Sequence, residues 1–228
     1  MKNIIRIGNG QGFWGDSIDA PVRLAKDGPL DYLTLDYLAE VTLSIMQRQK
    51  LKNPKAGFAH DFLDLIKRIL PEISEKGLKV ITNAGGVNPQ SCRNELIQLA
   101  KSSDSAMKIG VIQGDDIFST LAELRTKGVT FENMDTGDSF DSIADKVYSA
   151  NVYINSITIA EALEKGAQIV LAGRVSDPGL ALGPCIYEYG WKADNYDLLA
   201  AGTLAGHITE CGAQCTGGNY SKWQDVPN

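Results

Sequence analysis

Arg174 is the residue of this sequence best placed to hold an anion. It follows an apolar run in Gly173-Arg174-Val175-Ser176-Asp177-Pro178-Gly179. A guanidinium at the carboxyl end of a strand suits a carboxylate or phosphate, because its planar fork donates two parallel hydrogen bonds. Asp177, three residues on, either pairs with Arg174 and braces the loop or carries a proton. The other strand-end loops offer no cation.

A second candidate is Gly10-Gln11-Gly12-Phe13-Trp14-Gly15, which matches GxGxxG and lies between a strand and a helix. Asp36 ends the next strand, 21 residues after Gly15. In a dinucleotide site the pyrophosphate would rest on the helix N-terminus and Asp36 would hold a ribose. Phe13 and Trp14 are bulky for that tight turn, and Asp16 puts a negative charge where phosphate would lie. The alternative is a glycine-rich strand–helix loop that serves another ligand, with Gly10 and Gly12 admitting it to backbone N–H groups.

His207, Cys211 and Cys215 recur every four residues and would share one helix face, a possible set of zinc ligands. Gly212, Gly217 and Gly218 place the helix end near Cys211, and no fourth ligand is evident, so no metal is assigned. His207 and Glu210 are candidates for acid–base work. The only other histidine, His60, falls on the outer side of an amphipathic helix. The acidic run of Asp135, Asp138, Asp141 and Asp145 departs from the calcium-loop spacing. Asp138 or Ser139 capping a short helix, with Asp141 in its first turn, is the simpler reading. No nucleophile elbow, Walker P-loop or HExxH motif occurs.

Positioning these residues requires a scaffold of alternating strands and helices. The chain has 228 residues, enough for one large or two small domains. Its 23 glycines favour a loop-rich α/β protein, since about 7% is average. With 22 Lys and Arg against 28 Asp and Glu, the charge is −6 and no basic block stands out. Binding to nucleic acid or to an anionic membrane is therefore not expected. No apolar run is long enough to span a bilayer. The four cysteines are too few and too scattered for a disulfide framework, which points to a reducing, cytoplasmic setting. The opening MKNIIRIGNGQG does not read as a signal peptide.

Apolar runs at 4–7, 32–35, 79–82, 108–112 and 167–172 read as buried strands, with shorter ones at 129–132 and 151–154. Helices are expected at 18–26 after Asp16 or Ser17 as N-cap, and then in a long stretch with Leu38, Val41, Ile45 and Met46 facing the core. Others are expected over 58–75 with a kink or stop at Pro71, over 89–101, up to 126, over 157–165 and over 195–210. Strands alternating with helices in this way predict an α/β fold, a mainly parallel, doubly wound, Rossmann-like sheet with helices on both faces. No linker divides the chain, so residues 1–228 are expected to form one domain. Each strand stops at small polar residues or Gly. Gly10, Asn83, Gly85, Gly86, Gln113, Asn155 and Arg174 are thus expected along the carboxyl edge, where such sheets bind ligands.

Four blocks, GNGQGFWGDSIDAPVRLAKDGPLDYLTLDYLAEVTLSIM, ITNAGGVNP, VLAGRVSDPGLALGP and HITECGAQCTGGNYSKW, resemble the acyclic terpene utilisation protein AtuA family over essentially the whole chain. The resemblance implies a link to bacterial catabolism of acyclic terpenes such as citronellol and geraniol, whose acids are handled as CoA thioesters. It carries no settled reaction and fixes no cofactor. It does mark Gly10, Gly12, Asp16, Asn83, Gly85, Gly86, Arg174, Asp177, His207, Glu210, Cys211 and Gln214 as lying in family-like blocks. Cys215 stands where a small residue without a thiol is expected. Family members continue beyond residue 228. The chain is therefore expected to be a fragment, with Thr216-Gly217-Gly218-Asn219 leading into further strands and a C-terminal domain or partner chain adding to the site.

Three readings follow. The first is an enzyme, of lyase or hydratase type, acting on a small anionic substrate such as a CoA ester. In it, Gly10, Gly12, Asp16, Asn83, Gly85, Gly86 and Arg174 bind while Asp177, His207 and Glu210 move protons. The second is a binding or accessory protein without chemistry. The third is an NAD(P)-dependent oxidoreductase. A parallel sheet left open at its edge is also expected to drive self-association into a homo-oligomer.

Overall fold

Four runs of four largely apolar residues pair with a glycine-rich run of five, Ile7–Gln11, into one sheet, so the first strand begins where the apolar run expected at 4–7 ends. The computed structural model describes residues 3–216 together with 222, 225 and 227. In chain order, β1 (Ile7–Gln11) leads to α1 (Asp19–Asp27), β2 (Tyr32–Leu35), α2 (Glu40–Lys52), α3 (Asp61–Arg68) and α4 (Leu70–Ser74). Then come β3 (Lys79–Thr82), α5 (Pro89–Ser102), β4 (Ile109–Ile112), α6 (Leu121–Thr126) and α7 (Ile157–Glu164). The order closes with β5 (Ile169–Ala172), α8 (Gly179–Tyr189) and α9 (Tyr196–Thr209). All strand pairs are parallel, in the spatial order β1-β2-β3-β5-β4.

Side chains alternate across a strand, so a sheet covered on both faces needs two cores. Leu33, Leu35, Val80, Ile169 and Leu171 face one way and pack with Val22 of α1, Phe62 and Leu65 of α3 and Leu96 of α5. Tyr32, Ile81, Val170 and Ala172 face the other way and pack with Ile159 and Leu163 of α7 and Leu180 of α8. The strand order explains this split. Right-handed crossovers taken in one direction, from β1 through to β4, put their helices on one face. The return from β4 to β5 puts the next helix on the opposite face. The fold is α/β, with an all-parallel sheet covered on both faces, as in a Rossmann-like doubly wound protein. No helix among the described residues is long and apolar enough to cross a membrane.

Several local expectations are corrected. Ile18, not Asp16 or Ser17, occupies the N-cap position of α1 and has no side-chain cap. In α2 the core side is Leu43 and Met46, while Val41 is 70% and Ile45 42% exposed. The expected helix over 58–75 is two helices that meet at Ile69, with Pro71 in the first turn of the second, where its missing N–H costs nothing. Residues 129–132 form no strand, and Phe131 there has a positive φ of 51°. Residues 151–154 contribute only two isolated bridges, Asn151 to Asp116 and Ile154 to Val175. The segment leading to residue 126 is a 3-10 turn, Phe118–Thr120, followed by α6. Ser139 caps a 3-10 turn and accepts from the Asp141 N–H, and Asp141 pairs with Arg125. Gly217, Gly218 and Asn219 lie outside the described residues, as do Tyr220, Ser221 and Trp223 of the last family-like block.

Helix α8 has no signature in the sequence because Gly179, Gly183 and Pro184 interrupt its pattern. Packing explains Gly183. A Cβ there would meet Ile159 Cβ at 2.6 Å and the Ser156 carbonyl oxygen at 3.3 Å, so the glycine lets α8 close on α7. Gly183→Ala is expected to lower stability by ~1–3 kcal/mol, the usual cost of overpacking. Val41→Ala, on the exposed side of α2, is expected to change it by less than ~0.5 kcal/mol. Urea unfolding of both variants checks the two values. A large loss for Val41→Ala would return that residue to the core.

Candidate functional site

The chain leaves β3 toward α5 on one face of the sheet and leaves β5 toward α8 on the other. Adjacent strands whose connections part in this way open a crevice at their carboxyl ends. Asn83–Gly86 and Gly173–Asp177 border it, and Asp36 reaches it from the end of β2. Gln113 and Asn155 lie on the same edge, following β4 and preceding α7, and both are exposed.

Asp36 is only 3% exposed. Its Oδ1 accepts from Asn83 Nδ2 at 2.6 Å and from the Leu38 N–H at 3.1 Å. Asn83 in turn accepts from the Tyr37 N–H at 2.7 Å, so the amide locks the end of β2 to the end of β3. Burial pushes the Asp36 carboxyl up to about 6, against the two hydrogen bonds, and the charges of Glu210 and Asp177 push the same way. A carboxyl in that range can give or take a proton near neutral pH.

Arg174 is almost wholly buried, with 4% of its side chain exposed. Nη1 donates to Asp177 Oδ1 at 2.8 Å and to the Val175 carbonyl at 3.0 Å. The guanidinium carbon lies 4.2 Å from the centre of the Tyr153 ring, a cation–π contact. Its outer side meets Glu40, whose Oε1 is 3.6 Å from Nη2 and accepts from the Tyr153 hydroxyl at 2.5 Å. That hydroxyl, more than the arginine, holds the Glu40 carboxyl below the usual carboxylate range. Nε of Arg174 is buried and has no hydrogen-bond partner among the described residues. The Arg174 backbone N–H donates to Asp115 Oδ2 at 2.8 Å, and Asn151 Nδ2 donates to the same oxygen at 3.0 Å. Asp115 thereby ties the loop after β4 to the loop after β5. Of the two alternatives for Asp177, its pairing with Arg174 is present, and Nε is left without an acceptor among the described residues.

The glycine loop is filled by its own chain. A Cβ on Gly12 would meet the Cys211 carbonyl oxygen at 2.5 Å and Gln214 Nε2 at 2.9 Å. The space a phosphate would need is occupied by the 3-10 turn Gly212–Thr216 and the residue before it. Gly10 faces Pro21 at 2.6 Å and Leu33 and Leu35 at 3.0 Å, which lets α1 close on β1 and β2. Gly85 faces the Ala172 carbonyl at 2.6 Å, and Gly86, with φ of 54°, faces Met46 and the Gly57 carbonyl. The glycines expected to admit a ligand therefore admit neighbouring segments instead. Asp16 serves its own loop, its two oxygens accepting from the Ser17 N–H at 2.8 Å and the Gly12 N–H at 3.4 Å. Beside it Gln11 is buried, with Oε1 unpartnered among the described residues.

Glu210 follows α9 and accepts from the Cys211 thiol at 3.0 Å. That bond, with burial second, pushes the thiol up to about 12. His207 is exposed on α9 and, among the described residues, has no hydrogen bond or ion pair with Arg174, Asp36 or Glu210. His60 is exposed at the start of α3, as expected. The four cysteines carry no disulfide, and no group of three metal-ligating side chains occurs among the described residues.

The carboxyl ends of β2, β3 and β5 thus carry Asp36 bonded to Asn83 and Arg174 bonded to Asp177, with Glu210 and Asp177 near enough to act on Asp36 by their charges. Sequence reasoning missed Glu40, Tyr153 and Asp115. Asp115 stands in the strand-end pattern Gln113-Gly114-Asp115 and could have been found there. Glu40 and Tyr153 are 113 residues apart, and no local signal joins them.

The family model described as acyclic terpene utilisation family protein AtuA matches residues 5–228, and the chain belongs to that family. No curated protein and no solved structure matches it.

Asp36 makes stability depend on pH. Its carboxyl lies near 3.8 when exposed and near 6 in the fold. Between those values the folded chain holds a proton that the unfolded chain has lost, so stability falls as pH rises through this window. The full cost above pH 6 is ~3 kcal/mol. Asp36→Asn, which keeps an oxygen for Asn83 and Leu38, is expected to gain about that much on wild type between pH 4 and 7. Unfolding curves across the range measure it, and a gap independent of pH would contradict the assignment. Separately, Glu210→Ala is expected to speed alkylation of Cys211 at pH 8, read by mass spectrometry of the labelled peptides.

Proposed function

We propose that this chain serves acyclic terpene utilisation by binding a small organic carboxylate or its CoA thioester in the crevice between β3 and β5. The observation that carries this reading is the buried Arg174, whose Nε–H has no acceptor among the described residues and whose outer side is met only loosely, by Glu40. Glu40 is a carboxylate on a mostly exposed side chain, so its contact is weak in water. A substrate carboxylate, or the polarised oxygen of a thioester, would take its place and gain the free donor as well. Asp177 holds the guanidinium in position, and Tyr153 covers it.

Asp36 is the proton carrier in this reading. A carboxyl near 6 suits proton addition or removal beside a carbonyl, the step that hydratases and lyases share. Glu210 acts on Asp36 through its charge. His207, away from these contacts, is given no part in the step. A binding role without chemistry would rest on the same Arg174, and Asp36 separates the two. Asp36→Asn keeps affinity and loses turnover if the protein is an enzyme, and changes neither if it only binds. The filled glycine loop speaks against the NAD(P) reading. The edge of β4, unpaired among the described residues, and the exposed Tyr196, Leu204 and Ile208 of α9 support association of copies.

A thermal-shift screen of branched carboxylates, their CoA esters, free CoA and NAD(P) tests the reading. A ligand at 100 times its dissociation constant adds ~2.7 kcal/mol, a plain rise in melting temperature. The expected result is a rise with a carboxylate or its ester, none with NAD(P), loss in Arg174→Ala and partial retention in Arg174→Lys. A rise that survives Arg174→Ala moves the site elsewhere.

A further inference from the structure

A second groove, of about 460 Å³, runs between α2 and residues 146–149. Its volume is in the range of small-molecule sites. Leu51, Val147 and Tyr148 supply apolar wall, and Leu51 and Tyr148 are left about two-thirds exposed. Gln47 Nε2 donates to the Tyr148 carbonyl at 3.0 Å and holds the two sides together. Arg48 and Lys146 also line it, and neither has an ion-pair partner among the described residues. Among the described residues no carboxylate lines the groove, and Asp145, next in the chain to Lys146, is not one of its lining residues.

The absence of acid sets this groove apart in a chain of charge −6. The groove along β4 and α7 mixes Lys108 and Lys165 with Glu161. The one beside α5 sets Lys50 against Asp115 and Asp116. The one beside α6 sets Arg125 against Glu132 and Asp141. Two unpaired cations flanking exposed apolar and aromatic surface call for a ligand with both characters. We infer that the groove between α2 and residues 146–149 binds an amphipathic anion, its flat or aliphatic body on Leu51 and Tyr148 and its phosphate or carboxylate between Arg48 and Lys146. Such an anion is either nucleotide-like or a medium-chain carboxylate.

Isothermal titration calorimetry on the full chain distinguishes the sources, with adenosine 3′,5′-bisphosphate and decanoate as probes and inorganic phosphate as control. One organic probe is expected to bind one-to-one. Its affinity falls at least tenfold in Arg48→Ala and in Lys146→Ala, and is unchanged in Arg174→Ala. Both changed side chains are exposed, so the variants are expected to melt as wild type does. Whichever organic probe binds names the ligand type. The inference is overturned if neither saturates at millimolar concentration, if binding survives loss of Arg48 and Lys146, or if inorganic phosphate binds as tightly. Insensitivity to Arg174→Ala keeps this result separate from the fate of the crevice between β3 and β5.

Discussion

A guanidinium taken almost wholly out of water sets the conditions at the carboxyl edge of this sheet. Burying such a charge costs several kcal/mol unless partners surround it. Arg174 draws those partners from distant parts of the chain: Asp177 from its own loop, Glu40 from the start of α2 and the Tyr153 ring from the segment before α7. Asp115, from the loop after β4, holds the backbone that carries it. The loops after β4 and β5 and the start of α2 are thus held in register by one side chain and the peptide bearing it. The same requirement leaves a vulnerable point, because one buried donor, Nε, has no acceptor among the described residues. Buried donors are rarely left unpaired without a reason, and ligand binding is one.

The second condition is the strand order. Placing β5 between β3 and β4 brings Asn83 and Arg174 to neighbouring strand ends, on connections that part to opposite faces. Asp36 joins them through Asn83, and burial, with the charges of Glu210 and Asp177, raises its carboxyl to about 6. In the function we propose, the fixed cation holds a carboxyl or thioester and the tunable acid moves a proton beside it. The glycines contribute at one remove. They let α1, the turn after α9 and the loop after β3 close on the sheet, and so shape the walls rather than the floor.

Much of the scaffold was legible in the sequence, because buried parallel strands are apolar runs that stop at small polar residues. Four of the five strands, and the edge that carries Asn83 and Arg174, could be read in that way, whereas β1 lies in the glycine-rich Ile7–Gln11 and overlaps the apolar run at 4–7 by one residue. The spacing of Arg174 and Asp177 offered their ion pair as one of two readings. Helix α8 was hidden, since its glycines and proline serve packing against α7 and weaken every local helix signal. Val41 and Ile45 fit a helical stripe yet point outward, because apolar spacing alone does not say which side of α2 meets the core. The glycine loop misled for a related reason. Close approach of a ligand and close approach of the chain demand the same residue, and only the three-dimensional neighbours, Cys211 and Gln214, tell them apart. Glu40 and Tyr153 could not be foreseen, since their meeting depends on how the long segment before α7 crosses α2.

The most direct test is to watch the buried Nε–H of Arg174 itself. In a nitrogen-15 spectrum the Nε–H of Arg174, identified by its loss in Arg174→Lys, should shift saturably as a branched short-chain carboxylate or its CoA ester is added. The same titration should release Glu40, so that Glu40→Gln strengthens the ligand's hold. A resonance that stays in place while the ligand demonstrably binds would contradict the claim that Arg174 receives the substrate.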